Sequence, residues 1–264
     1  MSQYLTELRC TESIAREAGK RIESERRAGF SISLKGKNDL VTNVDRSIET
    51  FIRAQLHALF PGDYVVGEEH GEDGPSEAKT TRTWFVDPID GTLNFATGVP
   101  LYCVSIALQI DGQTCVGVIY EPSRDELFSA RLGHGAWLNG QPIEVSEQPA
   151  LCDAVLVTGF PAQRTEEFDR TLEQFATLTR ESRGVRRLGS AAIDLAYVAS
   201  GRLDGFWEYG LNAWDTAAGY LMVNEAGGLV TDLSGSPYTA HEPSMLATNT
   251  KIHEAMLRIL TPSA

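Results

Sequence analysis

An apolar run, Trp84-Phe85-Val86, empties into Asp87-Pro88-Ile89-Asp90-Gly91-Thr92-Leu93-Asn94. Two carboxylates stand three residues apart, and a Gly-Thr pair follows at once. Hard cations such as magnesium take oxygen ligands, usually one or two carboxylates completed by water and a substrate phosphate. If Gly91 and Thr92 begin a helix, their backbone N–H groups face an anion. The stretch therefore offers a cation site beside an anion site. Pro88 fixes its own φ and biases Asp87 towards extended backbone, so both carboxylates and the Ile89 carbonyl can converge on one centre. The same residues also suit a simple Asp-rich turn with Asp90 as N-cap of the next helix.

Other acids stand at comparable places. Glu68 and Glu69 follow the apolar Tyr64-Val65-Val66-Gly67, Asp215 sits at a helix start, and Glu208 ends the apolar Gly205-Phe206-Trp207. Taken singly, a loop acid or a carboxylate favoured by a helix dipole is ordinary. Taken together, several strand ends and helix starts present acids without balancing bases. Clustered carboxylates have raised pKa values unless a cation neutralises them. The five histidines, His57, His70, His134, His241 and His253, share no zinc spacing. There is no serine elbow and no Walker loop.

The chain of 264 residues, with a formal charge of −13, suits one large α/β domain or two fused halves. No basic patch or tail speaks for nucleic acid or an anionic membrane. A phosphate substrate would be repelled by the general field, so locally bound cations are the natural remedy. No apolar run is long enough for a transmembrane helix, and the N-terminus lacks a signal-peptide pattern. Cys10, Cys103, Cys115 and Cys152 are scattered, which points to reduced, mostly buried thiols in a cytoplasmic protein.

The elements that must position these acids follow from periodicity. Residues 4–27 form an amphipathic helix, with Leu5, Leu8, Ala15, Ala18 and Ile22 on one face. A short strand at residues 30–34 and a turn at 35–39 follow. Residues 40–45 lead into a second helix with Ile48, Phe51, Ile52, Leu56 and Leu59 inward, ended by Pro61-Gly62-Asp63. Residues 71–79 read as a mobile acidic loop. Beyond the central strand the pattern is antiparallel β, with hairpin signals at Asp111-Gly112 and Asn139-Gly140. A polar stretch at 146–151 divides the chain into halves, 1–146 and 147–264. The second half alternates strands (155–157, 185–188, 205–208, 229–231, 245–247) with helices (165–179, 190–199, 214–226, 251–260). Such alternation around an antiparallel block predicts a layered α/β architecture.

Gly67-Glu68-Glu69-His70, Trp84 to Phe95, Trp214-Asp215-Thr216-Ala217-Ala218-Gly219 and Glu225-Ala226-Gly227-Gly228 together resemble the inositol monophosphatase family. Residues Leu188 to Ala199 favour its bacterial branch. The resemblance spans essentially the whole chain and implies one phosphatase domain over 1–264, folded as a five-layered αβαβα sandwich of the inositol monophosphatase and fructose-1,6-bisphosphatase type. It implies magnesium-dependent hydrolysis of a phosphate monoester, inhibited by lithium. Glu68, Asp87 and the Ile89 carbonyl resemble ligands of a first magnesium. Asp87, Asp90 and Asp215 resemble ligands of a second, and Glu68 with Glu69 those of a third. Asp45 and Thr92 match the pair that orients the attacking water, with Glu68 beside them among the catalytic residues. The amides of Gly91 and Thr92 match the phosphate cradle. Gly189, Ser190, Ala191 and Glu208 match positions around the leaving ring, and Lys35 a basic residue near the site. The ligands Glu68, Ile89, Asp90 and Asp215 also border the substrate.

The chemistry suits these roles, because two cations can stabilise both the attacking and the leaving oxygens of an in-line displacement. Phosphoryl transfer needs positioning and charge more than a covalent nucleophile. The resemblance implies myo-inositol monophosphate as the substrate; Glu208 argues for a polyol with adjacent hydroxyls, because a carboxylate accepts two of them, and does not single out inositol. Family members also use fructose 1,6-bisphosphate, histidinol phosphate, NADP or nucleotide 3′-phosphates. The resemblance further implies a homodimer and leaves room for a regulatory protein partner alongside catalysis. Residues 159–164, near the expected substrate mouth, have no assignable role.

Overall fold

Two helices, α1 (Leu5–Ala28) and α2 (Asn43–Leu59), begin the chain and enclose a two-stranded antiparallel ribbon, β1 (Ile32–Gly36) and β2 (Asp39–Thr42). The first half continues with β3 (Tyr64–Gly67), β4 (Gly71–Asp73), β5 (Arg82–Asp90), the short α3 (Thr92–Thr97), β6 (Cys103–Ile110), β7 (Gln113–Glu121), β8 (Glu126–Arg131), β9 (Gly135–Leu138) and β10 (Gln141–Ile143). These strands form one eight-stranded sheet in the order β10-β9-β8-β7-β6-β5-β3-β4, antiparallel except where β3 runs parallel to β5. The computed structural model describes residues 3–36, 39–73, 82–161 and 165–261.

The remainder comprises β11 (Val155–Thr158), α4 (Glu166–Glu181), β12 (Gly184–Arg186), α5 (Ala191–Ala199), β13 (Gly205–Tyr209), α6 (Ala213–Glu225), β14 (Leu229–Thr231), β15 (Ser244–Thr248) and α7 (His253–Leu260). Its sheet has the order β12-β11-β13-β15-β14.

Strand alternation fixes how the layers stack. Trp84, Val86, Ile106 and Val118 face Ala18, Ile22, Ile48 and Ile52 of α1 and α2. Phe85, Ala107, Ile119 and Phe128 face the other way, into a core shared with α5, α6 and Val157, Phe206 and Met245 of the second sheet. Leu156, Trp207 and Leu246 face outward against Leu178 of α4 and Met256 of α7. Successive side chains on a strand point to opposite faces, so each sheet carries helices on both sides. The layers are α1/α2, sheet, α5/α6, sheet, α4/α7: the αβαβα sandwich.

Two elements depart from the sequence expectation. The first strand lies two residues later than expected, and its hydrogen-bonded partner is residues 39–42, where the sequence predicts the end of a turn (35–39) and a lead-in to α2 (40–45). Gly71–Asp73, expected as the start of a mobile loop, is an edge strand on β3. Asp73 anchors it through Arg53 (3.0 Å) and His57 (2.8 Å). The rest of that expected loop, 74–79, lies outside the described residues. All four cysteines are free. Cys103 and Cys115 are buried, Cys10 is half-buried and Cys152 is exposed. Among the described residues, no helix is long and apolar enough to cross a membrane.

The central helix α6 carries Asp215 and is pressed between the sheets, apolar all round as such a helix must be. Its contacts are close enough to demand glycine. A Cβ on Gly117 of β7 would lie 2.8 Å from the Ala218 carbonyl oxygen, and one on Gly219 would lie 2.5 Å from Leu195 of α5. The Gly117 neighbour is backbone and has nowhere to go. Gly117→Ala is therefore expected to destabilise the protein by about 1–3 kcal/mol through overpacking, measured as a lowered urea midpoint with unchanged slope.

Candidate active site

The site is built where β5 ends. Asp87 is opposite Ser105 of β6, and Asp90 is opposite Cys103, so three steps on β5 meet two on β6. This one-residue bulge re-aims the side chains. Pro88, with no N–H to offer a ladder, falls inside it. Asp87 is buried, and its Oδ1 accepts a bond from the Ile89 amide at 3.0 Å. Gly91 follows with φ 97°. A Cβ there would sit 2.9 Å from the Leu101 carbonyl oxygen and 3.3 Å from that of Gly189, so both the backbone twist and the close approach require glycine.

That twist corrects one expectation. Gly91, not Asp90, occupies the cap position of α3, and no side chain caps it. The left-handed turn carries α3 away and leaves the Asp90 carboxylate facing the second half of the chain. There Asp90 Oδ2 accepts from the Ser190 hydroxyl (2.8 Å) and the Ala192 amide (2.6 Å). Asp90 thus caps α5, one hundred residues downstream.

Asp45 and Asp215 are held by the same local chemistry at two other helices. Each is the third residue of a capping box. Asp45 Oδ2 accepts from the Thr42 amide (2.8 Å) and hydroxyl (2.5 Å), and Asp215 Oδ2 accepts from the Asn212 amide (2.7 Å). The other oxygen of Asp45, Oδ1, accepts from the Thr92 hydroxyl at 3.0 Å, and the same hydroxyl lies 3.1 Å from the Ile89 carbonyl oxygen. Glu68 follows β3 directly, its amide donating to the Val86 carbonyl at 3.2 Å.

Beyond Asp90 opens a cavity of 180 Å³, lined by Arg187, Gly189, Ser190, Asp194 and Glu208 and reaching Asp215. Asn94 ties the approach to α5 to the turn after α3, donating to the carbonyls of Leu101 (2.7 Å) and Leu188 (2.8 Å). Ala191 lines the cavity as well. Gly159 is needed because a Cβ would fall 2.0 Å from Glu208 Oε1. The side chain of Lys35 and residues 162–164 lie outside what is described. A larger groove of 830 Å³ runs along α4 and α7, on the outer face of the second sheet.

Electrostatics unite these residues. Burial, then the charges of Glu68, Asp90, Asp215 and Asp45, push Asp87 well above the ordinary carboxylate range. Burial pushes Asp90 up to about 6, opposed by its bonds from Ala192 and Ser190. Burial and the Asp90 charge push Asp215 up to about 8, and burial with Asp215 does the same to Glu208. Burial also raises Asp45. Acids from five separate elements share one unneutralised field. Among the described residues no three His, Cys, Asp or Glu side chains stand together as a group that could hold a metal ion. An all-oxygen donor set of that openness suits a hard cation completed by water and substrate oxygens, and the mutual repulsion is what a cation would relieve.

A model of the inositol monophosphatase family matches residues 4–263. The chain belongs to this family. It is 43% identical over 252 residues to the Nus factor SuhB of Pseudomonas aeruginosa, covering 94% of this chain and 93% of that one. It is 44% identical over 229 residues to an inositol-1-monophosphatase of Mesorhizobium japonicum, covering 87% and 85%. The crystal structure of the extragenic suppressor protein suhB from Bartonella henselae superposes with a TM-score of 0.92 at 38% identity, covering 98% of this chain and all of that one. This inositol monophosphatase family member is a phosphoric monoester hydrolase.

The phosphatase also relies on residues that sequence reasoning passed over. Glu49 and Arg53, on the inner face of α2, form a buried ion pair at 2.8 Å. Glu49 accepts from the amides of Glu69 (2.7 Å) and His70 (3.1 Å), and Arg53 donates to the carbonyls of Val65 (3.2 Å) and Gly71. The pair ties down the segment carrying Glu68 and Glu69, and Gly67 makes room for it, since a Cβ there would lie 2.2 Å from Glu49 Oε1. The available signal was a Glu and an Arg four apart, each next to an inward isoleucine. Arg53→Ala leaves Glu49 buried and uncompensated, so a loss of about 3–5 kcal/mol is expected, read from urea unfolding, together with a loss of phosphatase rate. Glu49→Leu combined with Arg53→Met should be more stable than Arg53→Ala alone while remaining slow.

Proposed function

We propose that this phosphatase hydrolyses a small polyol monophosphate, inositol monophosphate foremost, with magnesium held at the end of β5. The observation that carries this reading is the shared field of Asp87, Asp90, Asp215, Glu68 and Asp45, joined to the Thr92–Asp45 hydrogen bond. Glu68, Asp87 and the Ile89 carbonyl would hold one ion. Asp87, Asp90 and Asp215 would hold a second, and Glu68 with Glu69 a third. Bound there, magnesium supplies the positive charge that the attacking, leaving and phosphoryl oxygens need in the transition state.

The chain's own residues do the rest. Thr92 donates its proton to Asp45, which leaves the Thr92 oxygen free to accept a hydrogen bond from the attacking water. Burial raises Asp45 and makes it a better proton acceptor. The amides of Gly91 and Thr92, at the start of α3, hold the phosphate, with Lys35 as a further positive charge. The alcohol leaves into the cavity, where Glu208 accepts two adjacent hydroxyls beside Gly189, Ser190 and Ala191. Its 180 Å³ suits a six-carbon polyol. The M. japonicum relative's name, inositol-1-monophosphatase, supports the same substrate.

A second reading, a protein-binding role beside catalysis, draws on the name Nus factor borne by the P. aeruginosa relative. The two are separable. Asp90→Asn should lower kcat/KM on inositol monophosphate by several orders of magnitude while retaining partner binding. Asparagine keeps an oxygen to cap α5, so near-native thermal unfolding is expected. Chelation should abolish hydrolysis and added magnesium restore it. Full activity in excess chelator would overturn the metal assignment.

A further inference from the structure

The cavity that receives the leaving alcohol contains a second carboxylate. Asp194 lies in the first turn of α5, where a negative charge is favoured. Its side chain is only 1% exposed, yet it lines the cavity together with Glu208 and Arg187. Its Oδ1 is buried without a hydrogen-bond partner. An unpaired buried polar atom is costly, and in a folded protein it calls for a specific explanation.

Neighbouring groups do not supply one. The Glu208 carboxylate faces Asp194 and, after burial, is the largest influence raising its pKa. Asp90 raises it further, and the Arg187 guanidinium opposes both through space. Glu208 takes a backbone bond from Gly159, while Asp90 spends one oxygen on the start of α5. Asp194 has no such anchor in its Oδ1. What is missing is a donor, and the open space that Asp194 borders is the cavity. An alcohol with only one pair of adjacent hydroxyls satisfies Glu208 and leaves Asp194 as it is. A ring hydroxylated all round brings a further donor.

We propose that Asp194 is a specificity-determining residue that accepts a hydrogen bond from a hydroxyl of the leaving alcohol outside the pair read by Glu208. The inference rests on the polyol monophosphate reading and narrows it to alcohols hydroxylated on more than one edge. A site built to bond a hydroxyl rejects the analogue lacking it, because its own buried group is then left unpaired.

The test compares inositol monophosphate with 4-nitrophenyl phosphate, whose leaving group carries no such hydroxyls. Asp194→Leu, which removes the acceptor and keeps the volume, should reduce the ratio of kcat/KM for the polyol ester over the aryl ester by about 10- to 100-fold, the range for a hydrogen bond to a charged group, with most of the change in KM. An unchanged ratio in an enzyme that prefers the polyol ester would overturn this inference alone. Equal losses on both esters would place Asp194 in the field around the phosphate and overturn it too. A wild-type enzyme with no preference for the polyol ester would overturn the substrate reading and this inference with it. Should the variant fold poorly, the wild-type enzyme reads the same contact. Deoxyinositols lacking one hydroxyl outside the Glu208 pair should inhibit aryl phosphate hydrolysis about 10-fold more weakly than inositol, and equal inhibition by all of them would refute the contact.

Discussion

Carboxylates buried together repel one another, and the architecture of this phosphatase is arranged around holding several of them in one place. Asp87 and Asp90 of β5, Asp215 of α6, Asp45 of α2 and Glu68 after β3 come from four different segments, and burial with mutual charge raises Asp87 well above its ordinary range. The fold answers with helix starts. Asp45 closes the capping box of α2, Asp215 that of α6, and Asp90 caps α5 from outside, while Gly91 and Thr92 open α3. Four helix N-termini therefore meet at one acidic centre. Each contributes N–H groups that have no partner within the helix and the positive end of a dipole, which lowers the cost of the charges without neutralising them. The remaining imbalance makes the centre suited to a cation.

Such convergence demands close packing between layers. Asp215 can reach the end of β5 only because α6 lies directly on β7, where Gly117 admits the Ala218 backbone. Gly91 and Gly189 bring the phosphate turn against the approach to α5, and Asn94 bridges the gap with two bonds from one amide. The Glu49–Arg53 pair does the corresponding work for the Glu68 segment. It is a buried ion pair whose hydrogen bonds go to backbone, so it defines where a loop lies. Its net stabilisation is a separate matter, since desolvation offsets much of the attraction.

What was legible in the sequence follows from range of interaction. Strand alternation and helical periodicity are local, and α1 and α2 emerged with nearly the observed bounds, while the run Trp84 to Val86 is only the middle of β5, which extends from Arg82 to Asp90. Asp87 and Asp90 stood out because a strand ending in acids is locally odd. The ribbon partner at residues 39–42 and the edge strand at 71–73 did not, because both exist by pairing with another segment. Asp90 was expected to cap its own helix, the nearest one in sequence, and caps α5 instead because Gly91 turns the chain. Asp45 came from family resemblance rather than from its own spacing. Glu49, Arg53, Asp194 and Gly159 were passed over for one common reason. A charged residue on a mostly apolar face, or a glycine in a loop, acquires meaning only from the side chain that reaches it from elsewhere.

The division of labour within the site follows the same geometry. In the proposed function, phosphate chemistry falls to the end of β5, whose acids and amides are set by the bulge at Pro88 and the twist at Gly91. Recognition of the alcohol is assigned by the same proposal to α5 and β13, whose Ser190, Asp194 and Glu208 line the cavity. The two are not independent. Asp90 bonds both Ser190 and the Ala192 amide, and Asp194 lies two residues further along the same helical turn. Any shift of α5 that widened the alcohol cavity would pull on the cap that orients Asp90. Exchange of side chains at the cavity, with α5 left in place, is therefore the route by which this scaffold can change its substrate without disturbing its chemistry.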